Sequence, residues 1–262
     1  MQNSLFIQLI ADYGVGDPSF SEVVQKLRNL APNAVIQTTS VSSFSTIATG
    51  FWTLQFAIEN PVLGMLIYTN TAPRKDKKTS REQNEGEKLV YAKLENGVTI
   101  VGVNAGYCFS FVKPQIKDLH LVNVANKGSQ FRSRDFYPEA VAGIAAGNRK
   151  FMGEALDPVI IPEVPGFRVA SIDGYGNIKT TVRLSTVTFS SGQVLSVVLN
   201  GMKRTAYFTN GTFSVREGEL AFAPGSSGGK IDPFMELFMR YGSAHQEFGK
   251  PKVEMEFTVT KA

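Results

Sequence analysis

Residues 4–17 read SLFIQLIADYGVGD, an apolar run that gives way at once to glycines and carboxylates. The run at 4–10 predicts a buried strand, and the residues after Ala11 predict a loop at its carboxyl end. A helix is expected next, because SFSE at residues 19–22 has the spacing of a capping box. Apolar residues then recur at helical spacing, at Val23, Val24, Leu27 and Leu30. The opening of the chain therefore predicts a strand, a carboxylate-bearing loop and a helix.

The same alternation continues, with a predicted strand at 34–39, a helix at 46–58 and a strand at 64–71. Strand–helix–strand units of this length predict a parallel sheet covered by helices. Residues 73–88 are polar and charged and are expected to form an exposed loop. Beyond this loop the sequence predicts an Asn-Gly hairpin, a strand and a small-residue helix, at 89–103, 119–124 and 137–146.

The character of the chain changes at a proline-rich stretch that contains Pro158, Pro162 and Pro165. Short strand patterns joined by Gly- or Asn-containing turns follow it, at 167–172, 182–188, 193–199, 203–208, 211–215 and 252–259. Such a run is typical of an all-β barrel or sandwich. We therefore predict an α/β domain at 1–158, a linker at 159–166 and an all-β domain at 167–262.

Composition excludes several classes of function. Of 262 residues, 43% are hydrophobic and one is cysteine, Cys108, which excludes an internal disulfide and fits a reducing cytoplasm. Two histidines, His120 and His245, are too few with one cysteine for a zinc site, and a lone histidine is more often structural than catalytic. No apolar run is long enough to cross a bilayer, and no basic region precedes the first apolar stretch, so neither a membrane span nor a signal peptide is expected.

The formal net charge is +4, and the basic residues of 74–81 form one short cluster without interleaved aromatic residues. Such a cluster is typical of a solvated loop. Proteins that bind single-stranded nucleic acid instead use basic grooves with aromatic side chains on which the bases stack. We therefore expect no nucleic-acid partner.

Asp12 and Asp17 form the first candidate site. Asp12 follows the first strand, where ligands bind in open α/β sheets, and its carboxylate could accept hydrogen bonds from the cis hydroxyls of a ribose. Gly14 and Gly16 permit close approach of a ligand to the backbone, although their spacing is not a dinucleotide fingerprint. The structural alternative is that Asp12 caps a turn and Asp17 caps the following helix.

The second candidate is the turn DGYGN at residues 173–177. Asp173 could hold an ammonium group, Tyr175 could stack on a flat base, and Asn177 could bind the edge of an adenine. A hairpin loop is the alternative, because Asp, Gly and Asn favour turns for reasons of their own.

Two further segments carry groups that suit anions. Ser133 in FRSRD, residues 131–135, would present a hydroxyl beside free backbone amides at the start of a helix, or would simply cap it next to a surface Arg134–Asp135 pair. Residues 224–229, PGSSGG, could cradle a carboxylate or form a flexible loop.

Taken in this order, the four segments resemble one family, the S-adenosyl-L-methionine (SAM) hydroxide adenosyltransferases with their relatives the fluorinase and chlorinase. The resemblance covers nearly the whole chain. It rests on segments spread over both predicted domains: Ala11-Asp12-Tyr13-Gly14 with Asp17, residues 131–135, the Ala-rich helix at 140–147, residues 172–177, Ser227-Gly228, Glu236 and Gly242-Ser243-Ala244.

The resemblance implies a Rossmann-like first domain, a β-barrel second domain and a cytoplasmic homotrimer with sites between subunits. Asp12 would then take the ribose hydroxyls, Asp17 and Phe131 would belong to the same substrate site, and Ser133 would lie near the carbon under attack. The implied reaction is an in-line displacement at the ribose 5′ carbon with methionine as leaving group, without a metal.

The second domain would supply the rest of the site by the same resemblance. Asp173 and Ser227 would hold the methionine portion, Tyr175 would stack near the adenine, and Asn177 would bind its edge.

Three positions depart from the family pattern. The Asp, Arg and His with which the hydrolases activate water are matched here by Ala72, about Thr79, and Gly143. Ser133 matches the serine of the halogenases, but Ala72 also stands where the fluorinase has an aromatic residue. The sequence therefore leaves three functions open: cleavage of SAM by water, transfer to a halide or other nucleophile, and binding of SAM or adenosine without catalysis.

Overall fold

The computed structural model describes residues 4–73, 87–125, 129–211 and 214–262, and it divides into two compact units, Met1–Glu163 and Val164–Ala262. The first unit has seven strands: β1 Phe6–Ala11, β2 Val35–Ser40, β3 Met65–Asn70, β4 Leu89–Leu94, β5 Thr99–Val103, β6 Ile116–Val122 and β7 Met152–Ala155. Its helices are α1 Pro18–Leu30, α2 Thr46–Leu54 with a π-helical extension Gln55–Glu59, α3 Arg132–Asp135 and α4 Tyr137–Ala145. Short 3-10 turns lie at Ser110–Gln115, Arg149–Phe151 and Pro158–Ile160.

The seven strands form one mixed sheet in the order β2-β1-β3-β5-β4-β6-β7. Strands β2, β1, β3 and β5 are parallel, and β4, β6 and β7 join by antiparallel pairing. From β1 the chain passes to β2 on one side, and from β2 it returns to β3 on the other side of β1. Ligands bind in open sheets at such a reversal, outside the carboxyl ends of the strands.

Apolar side chains hold β1 in the middle of the parallel strands. Ile7, Leu9 and Ile10 have no exposed surface, and such continuous burial is typical of a parallel strand covered on both faces. Burial of each such side chain contributes about 1.5–3 kcal/mol. The position of β1 is therefore set by packing on both sides.

The start of α1 differs from the prediction. The helix begins at Pro18 with Asp17 as its N-cap, and the Asp17 carboxylate accepts a hydrogen bond from the Ser19 N–H at 2.7 Å. Proline is preorganised for the first helical position, so the helix starts ahead of the segment at 19–22 that resembles a capping box.

The second unit contains β8 Val169–Ile172, β9 Ile178–Arg183, β10 Val194–Leu199, β11 Met202–Phe208, β12 Leu220–Pro224, β13 Phe234–Met239, α5 Ala244–Glu247 and β14 Phe257–Lys261. Its sheet order is β14-β10-β11-β12-β13-β9-β8, and it is mixed because β11 and β12 run parallel. Backbone bonds from Val169 N to Met255 O and from Phe257 N to Phe167 O join the two ends of that order, at 2.9 and 3.0 Å. The sheet therefore curls into a half-barrel.

Two strands of the half-barrel, β12 and β13, were absent from the sequence prediction. Both are buried almost throughout, so they lack the alternation of apolar and polar residues that marks a half-exposed strand. The predicted strand at 211–215 is wrong where the structure describes it, since residues 211, 214 and 215 lie outside any strand, and residues 212–213 lie outside the described residues.

Within the described ranges, every helix is too short or too polar to cross a lipid bilayer.

Buried hydroxyls fix α2 against the carboxyl end of β3. The Thr49 hydroxyl donates to the Ser45 carbonyl at 2.9 Å and lies 2.7 Å from the Thr71 hydroxyl. The Thr53 hydroxyl donates along its own helix, to the Thr49 carbonyl at 2.7 Å. The Thr49–Thr71 contact is thus the link between the helix and the chain that follows β3.

We expect Thr49→Val to lower the free energy of unfolding by about 1–3 kcal/mol, because it leaves the buried Thr71 hydroxyl without this partner. Thr53→Val is the matched control and should cost about 1 kcal/mol or less, since it removes one bond within a helix. Urea denaturation of both variants measures the difference. Equal losses would contradict a linking role for Thr49.

Candidate functional site

A cleft of about 650 Å³ opens in the first unit at the carboxyl ends of β1 and β3. Four of the predicted site residues line it, namely Asp12, Asp17, Phe131 and Ser133. The volume lies within the range of about 300–1,000 Å³ that is usual for small-molecule sites. The sheet thus gathers the first and third sequence motifs at the strand reversal.

Asp12 holds together the loops that follow three strands. Its backbone N–H donates to the Asn70 carbonyl at 3.3 Å, at the end of β3, and its carboxylate accepts from the Phe44 N–H at 3.0 Å, beyond β2. Phe44 has a φ of 63°, a left-handed conformation that is uncommon for a residue with a side chain. The half-buried carboxylate therefore lies at the meeting point of the three loops and borders the cleft.

Ser133 lies inside α3 and does not precede it. The N-cap position belongs to Phe131, which makes no side-chain capping bond, so the predicted capping role of Ser133 is wrong. Instead the Tyr13 hydroxyl donates to the Ser133 Oγ at 2.7 Å, and the Tyr68 hydroxyl donates to the Ser133 carbonyl at 2.8 Å. Two phenols from the β1 loop and from β3 thereby hold Ser133 at the cleft.

Tyr13 belongs to the site, although the sequence motif that contains it gave it no role of its own. Its ring packs edge-on against Phe20 and Phe131, with centroids 5.0 and 5.8 Å away. Burial raises the pKa of the Tyr13 phenol well above its usual value, despite the Ser133 hydrogen bond, which acts in the opposite direction. In the sequence, the feature that could have indicated a role for Tyr13 is its position between Asp12 and Gly14.

Asp17 lies both at the rim of the cleft and at the N-terminus of α1. Hydrogen bonds from Ser19, through the side chain and then the backbone N–H, lower the pKa of the Asp17 carboxyl. The helix-capping alternative is therefore present in the structure, and a ligand at the rim would meet an ionised carboxylate.

The Arg134–Asp135 pair also follows its structural alternative. Their side chains meet at 2.7 Å, and hydrogen bonds from Arg134 and then Ser129 lower the pKa of Asp135 to about 2. The Arg134 guanidinium lies 4.8 Å from the centre of the Phe131 ring. Phe131 is thus held between Arg134 and Tyr13.

Other groups in the cleft were missed by the sequence analysis. Among them are two charged residues, an amide and a phenol: Glu87, Arg132, Asn70 and Tyr137. The Arg132 guanidinium lies 5.7 Å from the centre of the Tyr137 ring. Asn70 was predictable from topology, because it ends the strand parallel to β1 and so emerges beside Asp12.

The positions matched to the hydrolase triad have different surroundings. Ala72 lines the cleft, and Thr79 lies outside the described residues. Gly143 lies in α4, where a Cβ atom would come within 2.1 Å of Phe151 Cε2. A side chain at 143 would therefore meet the Phe151 ring.

In the second unit, the loop at 173–177 is closed by its own side chains. Asp173 Oδ1 accepts from the N–H groups of Tyr175 and Asn177, both at 3.0 Å, and Asp173 Oδ2 accepts from the Asn177 amide at 3.0 Å. Gly176 adopts a φ of +82°, and the Ser243 Oγ would lie 2.0 Å from any Cβ placed there. These bonds are those of the hairpin-loop alternative, and they leave the Tyr175 ring 83% exposed.

Ser227 lies in a loop that buried charges hold in place. Lys179 Nζ and Glu236 Oε1 are 2.7 Å apart, both side chains are almost fully buried, and Glu236 also accepts from the Ser226 N–H at 3.0 Å. Arg183 donates to the Gly228 carbonyl at 2.7 Å. Hydrogen bonds thus fasten the segment at 224–229 to β9 and β13.

Two of the resembling segments of this unit lie against each other. The His245 N–H donates to the Gly176 carbonyl at 2.9 Å, which fastens the Gly242-Ser243-Ala244 stretch to the loop at 173–177. Within the described part of the chain, no group of three or more His, Cys, Asp or Glu side chains is arranged to hold a metal ion.

No family model and no curated protein matches the chain. Among solved structures, an uncharacterized conserved protein from Thermotoga maritima matches with a TM-score of 0.76 and 17% identity, over 97% of this chain and 100% of that one. A conserved hypothetical protein from Thermus thermophilus matches with a TM-score of 0.68 and 20% identity, over 98% and 100%. At these identities the likeness establishes the fold alone.

We expect Gly143→Ala to destabilise the protein by about 1–3 kcal/mol, because the added methyl overpacks against Phe151. In an open helix position the same change would instead be favourable by about 1 kcal/mol. Chemical denaturation checks the sign. In a Phe151→Leu background the penalty should shrink, and a stabilising effect in the parent would show that the Phe151 ring moves aside freely.

We expect Glu236→Ala to lower the free energy of unfolding by about 3–5 kcal/mol, because it leaves the buried Lys179 ammonium unpaired. The double variant Lys179→Met with Glu236→Leu should recover most of this loss. Glu256→Ala, which breaks an exposed pair with Arg168, is the matched control and should cost at most about 1 kcal/mol. A similar small loss for Glu236→Ala would contradict a structural role for the buried Lys179–Glu236 pair.

Proposed function

We propose that this protein binds SAM and is a divergent member of the SAM hydroxide adenosyltransferase and fluorinase–chlorinase family. The observation that carries the proposal is the sharing of one cleft by Asp12 and Ser133, which come from motifs far apart in the chain. The order of the four motifs supports it, as does the position of the cleft at the strand reversal. The proposal includes a Rossmann-like description of the first unit, a barrel description of the second, a cytoplasmic location and a homotrimer with inter-subunit sites.

In this proposal the cleft holds the adenosyl group. Asp12 accepts hydrogen bonds from the cis hydroxyls of the ribose, and it is already oriented by the Phe44 N–H. Asp17 and Phe131 line the same site, and Ser133 faces the 5′ carbon. The sulfonium of SAM is cationic. The described lining of the cleft includes three carboxylates, those of Asp12, Asp17 and Glu87, and one guanidinium, that of Arg132, and this excess of negative charge favours a cation.

The four remaining predicted residues take the other parts of the ligand in the assembled protein. Asp173 and Ser227 hold the methionine portion, Tyr175 stacks near the adenine, and Asn177 binds its edge. The exposed Tyr175 ring is available for stacking, and the closed hydrogen bonding of Asp173 and Asn177 keeps the loop in one conformation.

The reaction that we propose is hydrolysis at the ribose 5′ carbon. A water oxygen forms a bond to this carbon while the carbon–sulfur bond breaks, and the electron pair leaves with the sulfur of methionine. The products are adenosine and methionine, and the proton of the water passes to solvent. Ala72 lines the cleft where the related hydrolases carry an aspartate, so alignment and desolvation supply most of the acceleration and turnover is slow.

Two alternatives each rest on one residue. Ser133 presents a hydroxyl and favours a halide or another nucleophile as acceptor. Ala72 lacks any group that could take a proton, which favours a protein that binds SAM or adenosine without catalysis.

Incubation of the pure protein with SAM, with and without chloride, separates these functions. Chromatography should detect adenosine and methionine in both cases. A product that requires chloride, 5′-chloroadenosine, would replace the hydrolase by a halogenase. Binding in calorimetry with no product would leave the non-catalytic function, and no binding at all would remove the proposal.

We expect Asp12→Ala to weaken SAM binding by about 10- to 100-fold, because a charged acceptor of the ribose hydroxyls is lost. Asp12→Asn keeps an acceptor for the Phe44 N–H and controls for collapse of the loop. Asp118→Ala, an exposed carboxylate on β6 outside the cleft, is the matched control and should bind like the parent. Calorimetry measures all three, and parental affinity in Asp12→Ala would exclude a ribose contact.

A further inference from the structure

The orientation of one hydroxyl in the cleft is fixed by its neighbour. The Tyr13 hydroxyl donates to the Ser133 Oγ at 2.7 Å, so the Ser133 hydrogen must point in another direction. Ser133 is 5% exposed and lines the cleft. Within the described ranges, this hydrogen meets no acceptor on the protein. Ser133 therefore offers a hydrogen-bond donor to the contents of the cleft.

Both partners of this bond are held from several sides. The Tyr13 carbonyl accepts from the Ser40 hydroxyl at 2.6 Å, and its ring packs between Phe20 and Phe131. The Ser133 backbone is anchored by the Tyr68 hydroxyl at 2.8 Å. A turn of the Ser133 side chain would break its hydrogen bond with the phenol that these contacts hold in place, so the direction of the Ser133 hydrogen is preorganised.

The chemistry of Tyr13 and Ser133 follows from which hydroxyl donates and which accepts in the bond between them. A phenol that donates to a hydroxyl polarises it, which strengthens the second hydroxyl as a donor and weakens it as a base. Burial also raises the pKa of the Tyr13 phenol above its usual value, so the phenol keeps its proton throughout the neutral range. A group arranged in this way orients an acceptor atom and does not remove a proton from it.

We propose that Tyr13 is a positioning residue that holds the Ser133 hydroxyl as a donor toward the attacking atom. This inference rests on the proposed function and adds to it the residue that orients Ser133 toward the attacking atom, which is the oxygen of water or a halide ion. Ser133 touches that atom, and Tyr13 acts only through Ser133.

A double-mutant cycle tests the inference. Tyr13→Phe removes the phenol oxygen and keeps the ring contacts, Ser133→Ala removes the hydroxyl, and the double variant removes both. We expect each single variant to lower kcat by about 10- to 100-fold with little change in KM for SAM, since misdirection of reacting groups has effects of this size. The double variant should be no slower than Ser133→Ala alone. Adenosine and 5′-chloroadenosine, measured with and without chloride, distinguish water from halide as the oriented atom.

Several outcomes would overturn the positioning role. Effects that multiply in the double variant would mean that Tyr13 acts independently of Ser133, and a parental kcat in Tyr13→Phe would mean that it does not act at all. Tyr91→Phe, which alters a phenol on β4 outside the cleft, is the matched control and should behave like the parent. Melting temperatures of all variants establish that losses of kcat are not losses of fold.

The pH profile of the parent protein supplies a test that needs no variant. The kcat should stay level up to about pH 10, because the phenol remains a donor there. A decline below this pH that disappears in Tyr13→Phe would show ionisation of the phenol and overturn the inference. A parent protein that neither binds nor converts SAM would instead overturn the proposed function, and this result is visible before any variant is made.

Discussion

Parallel pairing of β1 with both β2 and β3 brings the carboxyl ends of these strands to one edge, in the register Ala11 to Ser40 and Ala11 to Asn70. Every loop that shapes the cleft on this side begins at that edge. The pairing is itself maintained by the complete burial of Ile7, Leu9 and Ile10 on both faces of the sheet. A slip of one residue would move Asp12 away from the Phe44 N–H and would turn the side chains of β1 to the opposite face.

Carboxylates that accept backbone N–H groups recur at the ends of these elements. Asp12 accepts from Phe44, Asp17 from Ser19, Asp173 from Tyr175 and Asn177, and Glu236 from Ser226. Each bond favours the loop conformation in which it forms. A loop that is already ordered loses less conformational entropy on binding, which leaves more of the interaction free energy for affinity.

Local sequence patterns predicted many strands and helices of the first unit. They did not predict contacts between residues that lie far apart in the sequence. The strand that ends before Asp12 was evident from its apolar run, and capping of the next helix by Asp17 was one of two alternatives that its position offered. The bond between Tyr13 and Ser133 spans 120 positions, and no spacing within either segment reports it. Strands β12 and β13 were hidden for a different reason, since burial on both faces removes the period of two on which strand prediction depends.

Phe151 fills the volume that a side chain at position 143 would need. An imidazole cannot appear at 143 in one mutational step without a loss of stability, because the aromatic ring stands in its way. A smaller residue would have to arise first at 151, and that change alone would leave a void. The order of substitutions along such a path is therefore constrained, and a histidine at 143 is reached only through a less stable intermediate.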